Sequence, residues 1–116
     1  MVESNYLFLS DLEKKVYDWL SKREIPFTTQ EPMFGIAGEA GSAVVDFVLT
    51  ERNIVLRCMG TYWHSSAQSQ ARDLFGRERL INKGFQVVDI WEESMETDEE
   101  LEHTMKLALQ GQEALR

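Results

Sequence analysis

The sequence predicts an α/β protein with a central mixed β-sheet flanked by helices. Three observations carry that expectation. Helical and strand periodicities follow one another in the order helix, strand, strand, strand, helix, strand, helix. Two apolar runs rich in β-branched residues, 43–49 and 54–58, are separated only by a short polar turn at 50–53. A helical segment of crossover length then precedes the fourth strand, which lets that strand lie parallel to the third.

Each element has its own local signal. Ser10-Asp11-Leu12-Glu13 reads as a capping box, and Leu12, Val16, Trp19 and Leu20 recur at helical spacing, so a helix is expected over 11–23, ending before Pro26. Residues 27–30 form a short strand, and 31–41, with Pro32, Gly35, Gly38 and Gly41, a loop or wide turn. In the run 43–49 apolar residues occupy both alternating faces, Val44 and Val48 on one and Val45, Phe47 and Leu49 on the other. That strand is expected to be central and covered on both sides. A second helix opens in the polar stretch 65–69 and stops at Gly84, with Ala67, Ala71, Leu74 and Ile81 as its buried stripe. Residues 85–90 are the fourth strand, and Thr97-Asp98-Glu99-Glu100 caps a last helix that runs to about Gln110.

Bulk properties narrow the classes. A chain of 116 residues encloses one core and is expected to be one domain. No apolar run reaches bilayer-spanning length, so no membrane partner is expected. The single cysteine, Cys58, excludes an internal disulfide and a cysteine-rich zinc site, and points to a cytoplasmic setting. A net charge of −8 argues against a protein that wraps nucleic acid by electrostatics alone. The charge is unevenly spread, however. Residues 89–102 hold eight acids and no Lys or Arg, whereas 51–83 hold six basic residues against three acids.

Four polar residues could carry chemistry: Glu13, Asp46, His64 and Asp73. Asp46 lies within an apolar strand, where an isolated charge is very costly and must find a partner. His64 ends the stretch Gly60-Thr61-Tyr62-Trp63-His64 that leaves the neighbouring strand. Each residue also has a structural reading. Glu13 completes a capping box, Asp46 joins an ion pair, His64 fills a place after an aromatic pair, and Asp73 is an i,i+4 partner of Arg77.

Taken together, the residues resemble a known family. The blocks L-E-K-K-V-Y-D-W-L-S-K-R-E-I-P-F-T-T-Q (12–30), V-D-F-V-L-T-E-R-N-I-V-L-R-C-M-G-T-Y-W-H (45–64) and A-R-D-L-F-G-R-E-R-L-I-N-K-G-F-Q-V-V-D-I-W-E (71–92) are similar to the very-short-patch mismatch-repair endonucleases. They are similar also to that family's relatives among phage homing endonucleases with an E-D-x-H-D motif. The resemblance implies a restriction-endonuclease-like three-layer sandwich and Mg²⁺-dependent hydrolysis of DNA in a bacterial host cell. It makes Asp46 the metal ligand, joined by the backbone carbonyl of Cys58. It makes His64 the acid/base group, Asp73 its orienting carboxylate, and Glu13 a contact to metal-bound water or a second ion. Tyr62 and Trp63 match an aromatic pair that lies against a base step, the alternative being two aromatics that seal the sheet edge. By their charge Arg72, Arg77, Arg79 and Lys83 could meet phosphates or form a solvated helix face. The sequence departs from the superfamily pattern at Arg57, Cys58 and Met59, where an acid and a lysine are usual. It also departs from the mismatch-repair enzymes, which carry a His at Met59 and a structural zinc site. The homing type is therefore the expected one, acting on double-stranded DNA as a homodimer and with its DNA-recognition region outside these residues. A non-cutting nucleic-acid or protein binding module, and a mismatch-specific nickase, are the alternatives.

Overall fold

The computed structural model describes residues 9–30, 46–59 and 67–114, of which residues 30, 46 and 67–73 are described by backbone alone. The order is α1 (Asp11–Lys22), β1 (Thr28–Gln30), β2 (Asp46–Leu49), β3 (Ile54–Met59), α2 (Ala67–Asn82), β4 (Gln86–Trp91), a 3₁₀ turn (Glu92–Ser94) and α3 (Asp98–Ala108). The four strands form one mixed sheet in the order β1-β2-β3-β4. β1, β2 and β3 pair antiparallel, whereas β3 and β4 pair parallel across the α2 crossover.

Local chemistry sets the boundaries. Both expected capping boxes are formed, Ser10 with Glu13 and Thr97 with Glu100. The β2–β3 turn closes on Asn53, whose φ of 57° is a left-handed conformation that asparagine tolerates. The Asn53 side-chain amide then donates to the Gly84 carbonyl at 2.6 Å, tying the turn to the end of α2. Gly84 itself, at φ 98°, stops that helix as expected.

Strand alternation divides the apolar residues between two faces. Phe47, Leu49, Ile54, Leu56, Cys58, Val88 and Ile90 join Leu12, Val16, Trp19 and Leu20 of α1 and Met105 and Ala108 of α3 in the larger cluster. Val48, Val55 and Val87 form a smaller one with Leu80 of α2. β2 is thus covered on both faces, as its sequence pattern required. Among the described residues no helix is long and apolar enough to cross a membrane.

One expectation fails. Leu74 and Ile81 do not face the core; they are 58% and 47% exposed, whereas Leu80 is 1% exposed. Ala67 and Ala71, from the same expected stripe, belong to the residues described by backbone alone. The helix is turned because a different face has to meet the sheet. Gly76 lies above Arg57, where even a Cβ would come within 3.4 Å of the guanidinium, and Arg77 reaches Asp89 of β4.

α1 is clamped to α3 and the segment before it by polar contacts. Lys15 Nζ donates to the Met95 carbonyl at 3.0 Å, and Trp19 Nε1 donates to Glu102 Oε1 at 2.9 Å. Arg23 pairs with the same carboxylate and stacks 4.1 Å from the Trp19 ring centroid, while Lys106 approaches from the other side at 3.3 Å. The Trp19 hydrogen bond, with help from Lys106 and Arg23, holds the Glu102 carboxyl below the usual carboxylate range. A carboxyl depressed in the folded state stabilises the fold above its unfolded pKa of about 4.3 and loses that contribution as pH falls through the folded value. Thermal melts of the wild type and Glu102→Gln should therefore differ at pH 7, with the wild type the more stable, and converge as the pH falls through the depressed folded-state value.

Candidate functional site

The candidate site grows from the register of three adjacent strands. Asp46, the first residue of β2, stands opposite Arg57 of β3, and Arg57 stands opposite Asp89 of β4. Acid, base and acid therefore follow one another across the sheet. Arg57 alternates with Leu56 and Cys58, which belong to the larger cluster, so it projects to the face covered by α2.

Arg57 and Asp89 are buried, at 5% and 7% exposure. Arg57 Nε donates to Asp89 Oδ1 at 2.8 Å. Arg77 Nη1 lies 3.1 Å from Asp89 Oδ2 and 2.7 Å from Glu113 Oε2, at ion-pair distance from both without the alignment of a hydrogen bond. Burial pulls the Arg77 pKa down, but Asp89 and Glu113 together outweigh it, so the proton is held more tightly than on an ordinary arginine. The four charges join β3, β4, α2 and the segment after α3.

This cluster was missed by sequence reasoning, although its signal is present. Arg57 interrupts I-V-L-R-C-M and Asp89 interrupts Q-V-V-D-I-W, each a single charge in an apolar strand. The demand for a partner that applied to Asp46 applied equally to these two.

The expected site residues fall into three groups. Glu13 is buried in α1 with Oε1 accepting from the Ser10 N–H at 2.9 Å, which fulfils its capping role. Its helix packs on the face opposite Arg57. Cys58 is buried, and its backbone is adjacent to the register partner of Asp46. Asp46, Arg72 and Asp73 are described by backbone alone, the first opening β2 and the other two in the N-terminal half of α2. Tyr62, Trp63 and His64 lie outside the described residues. Arg77, the expected phosphate contact, is already engaged by two carboxylates.

Among the described residues no group of three His, Cys, Asp or Glu could hold a metal ion. No family model, curated protein or solved structure matches the chain.

The ion cluster has a measurable consequence. Asp89 holds two cations, so Asp89→Asn leaves the buried Arg57 guanidinium facing an amide, and a buried pair broken on one side costs about 3–5 kcal/mol. Arg57→Met leaves Asp89 paired with Arg77 and should cost less. Urea unfolding of the two variants checks the order.

Proposed function

We propose that the chain is the catalytic domain of a Mg²⁺-dependent DNA endonuclease of the homing type, built on a restriction-endonuclease-like three-layer sandwich. One observation carries the reading. The strand that begins with Asp46 pairs directly with the strand that runs into Gly60-Thr61-Tyr62-Trp63-His64, and Cys58 sits beside the register partner of Asp46. The mixed sheet, with a helix before β1 and a crossover helix between its parallel strands, is the coarse architecture that such a domain requires.

The donor chemistry suits the ion. Mg²⁺ takes oxygen ligands, keeps several waters and needs only one or two carboxylates, so Asp46 with the Cys58 carbonyl makes an adequate protein share. When bound, the ion supplies Lewis-acid stabilisation of the phosphorus centre and a more acidic water. The remaining work belongs to the chain. His64 accepts or donates the proton at the reacting oxygen, a role worth about 10²- to 10⁴-fold in rate. Asp73 fixes the tautomer and direction of that imidazole, whereas Glu13 is held in its capping box on the helix that packs on the opposite face of the sheet. Tyr62 and Trp63 lie against a base step of double-stranded DNA, and Arg72 meets a phosphate. Arg77, engaged by Asp89 and Glu113, would have to leave that pairing to meet a phosphate. Cutting both strands calls for two such sites, hence a homodimer on DNA.

A second reading has its own support, a nuclease-like module that binds nucleic acid or protein without cutting. Arg57 is a permanent, buried cation in register with Asp46, and it offers that carboxylate a partner other than a metal ion.

Plasmid cleavage in Mg²⁺ separates the two. The endonuclease reading expects cleavage that EDTA abolishes, that Asp46→Ala eliminates and that His64→Ala lowers by about 10²-fold or more. Cleavage indifferent to both substitutions refutes the site. DNA bound but uncut by the wild type establishes the second reading.

A further inference from the structure

The segment that follows α3 passes from one face of the sheet to the other. α3 packs with α1 through Met105 and Ala108, whereas Arg77 belongs to the helix on the opposite face. The chain leaves α3 through a turn in which Gly111 adopts φ 76° and the Gln112 N–H donates to the Leu107 carbonyl at 3.0 Å. It runs past the start of β4, the last strand in the sheet order, where a Cβ on Gly111 would come 2.9 Å from Gln86 Oε1. Glu113 follows, and its carboxylate lies 2.7 Å from Arg77 Nη1. An ion pair thus ties residues 109–113 to α2 around the β4 edge.

We infer that Glu113 occupies an anion site on Arg77 which a DNA phosphate takes when this strap swings away. The inference rests on the DNA-binding part of the proposed function, and on that part only. Two features make Glu113 the exchangeable partner. The Asp89 side chain is 8% exposed and also accepts from the buried Arg57, so it cannot leave without stranding charge. The Glu113 side chain is 35% exposed and lies beyond the hydrogen-bonded turn, so its carboxylate rehydrates at little cost. Charge balance points the same way. Arg57 and Arg77 against Asp89 leave one positive charge, which Glu113 cancels. Arg77 is itself 29% exposed, so an oxygen anion replacing Glu113 reaches the guanidinium without opening the Arg57–Asp89 pair. A phosphodiester offers a guanidinium the same singly charged oxygen pair as a carboxylate does. α2 and the residue after it carry Arg72, Arg77, Arg79 and Lys83 against Asp73 and Glu78. Releasing Glu113 therefore uncovers a cation on a helix that is already net positive.

Binding of the full chain to duplex DNA in EDTA, measured from about 50 to 200 mM salt, tests the strap. One further phosphate contact steepens the fall of log K with log salt by about 0.9. Glu113→Gln should therefore bind more tightly than the wild type at low salt and lose about 3.5-fold more affinity across that range. Glu99→Gln removes the same charge from an exposed position on α3 and should leave the slope unchanged. In the double variant R77Q/E113Q the added slope should vanish relative to Arg77→Gln alone. Equal slopes for Glu113→Gln and the wild type overturn the inference. So does an equal effect of Glu99→Gln, an added slope that survives the loss of Arg77, or DNA bound by neither the wild type nor Glu113→Gln. The result is separable from cleavage. A steeper slope in a protein that cuts no plasmid in Mg²⁺ keeps the strap and removes the endonuclease reading, whereas cleavage with an unchanged slope does the reverse.

Discussion

A guanidinium that cannot lose its proton is buried in the middle of this sheet, and the arrangement around it follows from that fact. Arg57 is 5% exposed on β3, so it needs a carboxylate at hydrogen-bonding distance, and β4 supplies Asp89 in direct register. The pair then dictates how α2 can cross. Gly76 is the residue above Arg57, where an added Cβ would stand in van der Waals contact with the guanidinium at 3.4 Å. With Gly76 and Leu80 facing down, Arg77 comes within reach of the second oxygen of Asp89. The same rotation turns Leu74, Phe75 and Ile81 outward. The buried charges together with Leu80 thus set which face of α2 meets the sheet.

The opposite face is organised by apolar burial, with polar contacts setting angles. Phe47, Leu49, Leu56, Val88 and Ile90 give α1 and α3 a continuous floor, and Tyr17, Phe27 and Phe47 interlock edge to face and tilted at 5.2 and 5.8 Å. Burial alone does not choose between nearby helix angles. Trp19 and Arg23 converge on Glu102, and Lys15 on the Met95 carbonyl, so α1 is held at its C-terminal end to α3 and nearer its start to the 3₁₀ turn. Glu13 contributes at the very start through its capping box. The two faces therefore differ in kind, one sorted by hydrophobic area and one by charge.

That difference explains what the sequence made legible. Elements defined by local chemistry were readable: both capping boxes, the stop at Gly84 and the strand alternation depend on residues a few positions apart, and the parallel crossover on the length of the helix between its strands. The orientation of α2 was not, because it depends on residues 57, 77, 89 and 113, which come together only in the folded sheet. Helical periodicity ranked Leu74 and Ile81 as buried since it weighs apolarity alone; a buried ion pair overrides that ranking because its charges are costly to leave unpaired. The candidate site was legible as a set of residue types in a family-like order. Whether an aspartate on β2 serves a metal ion or an arginine is a matter of its neighbours across the strands, and those are invisible to motif spacing.

The same row of charges bears on both functional readings. A divalent ion at Asp46 and the guanidinium of Arg57 would share one carboxylate from neighbouring strands, and like charges at that separation repel. Asp89 answers part of that repulsion, since it already neutralises Arg57 from the far side and is itself held by Arg77 and, through it, Glu113. An Arg57 so neutralised is a weaker rival for Asp46 than a free arginine would be. The four-charge cluster therefore contributes to the local potential beside the Asp46–Arg57 register pair, at the end of the hairpin away from its turn. Asp89 and Glu113 thus act on the register neighbour of Asp46, Arg57, directly and through Arg77, from the face of the sheet that α2 covers.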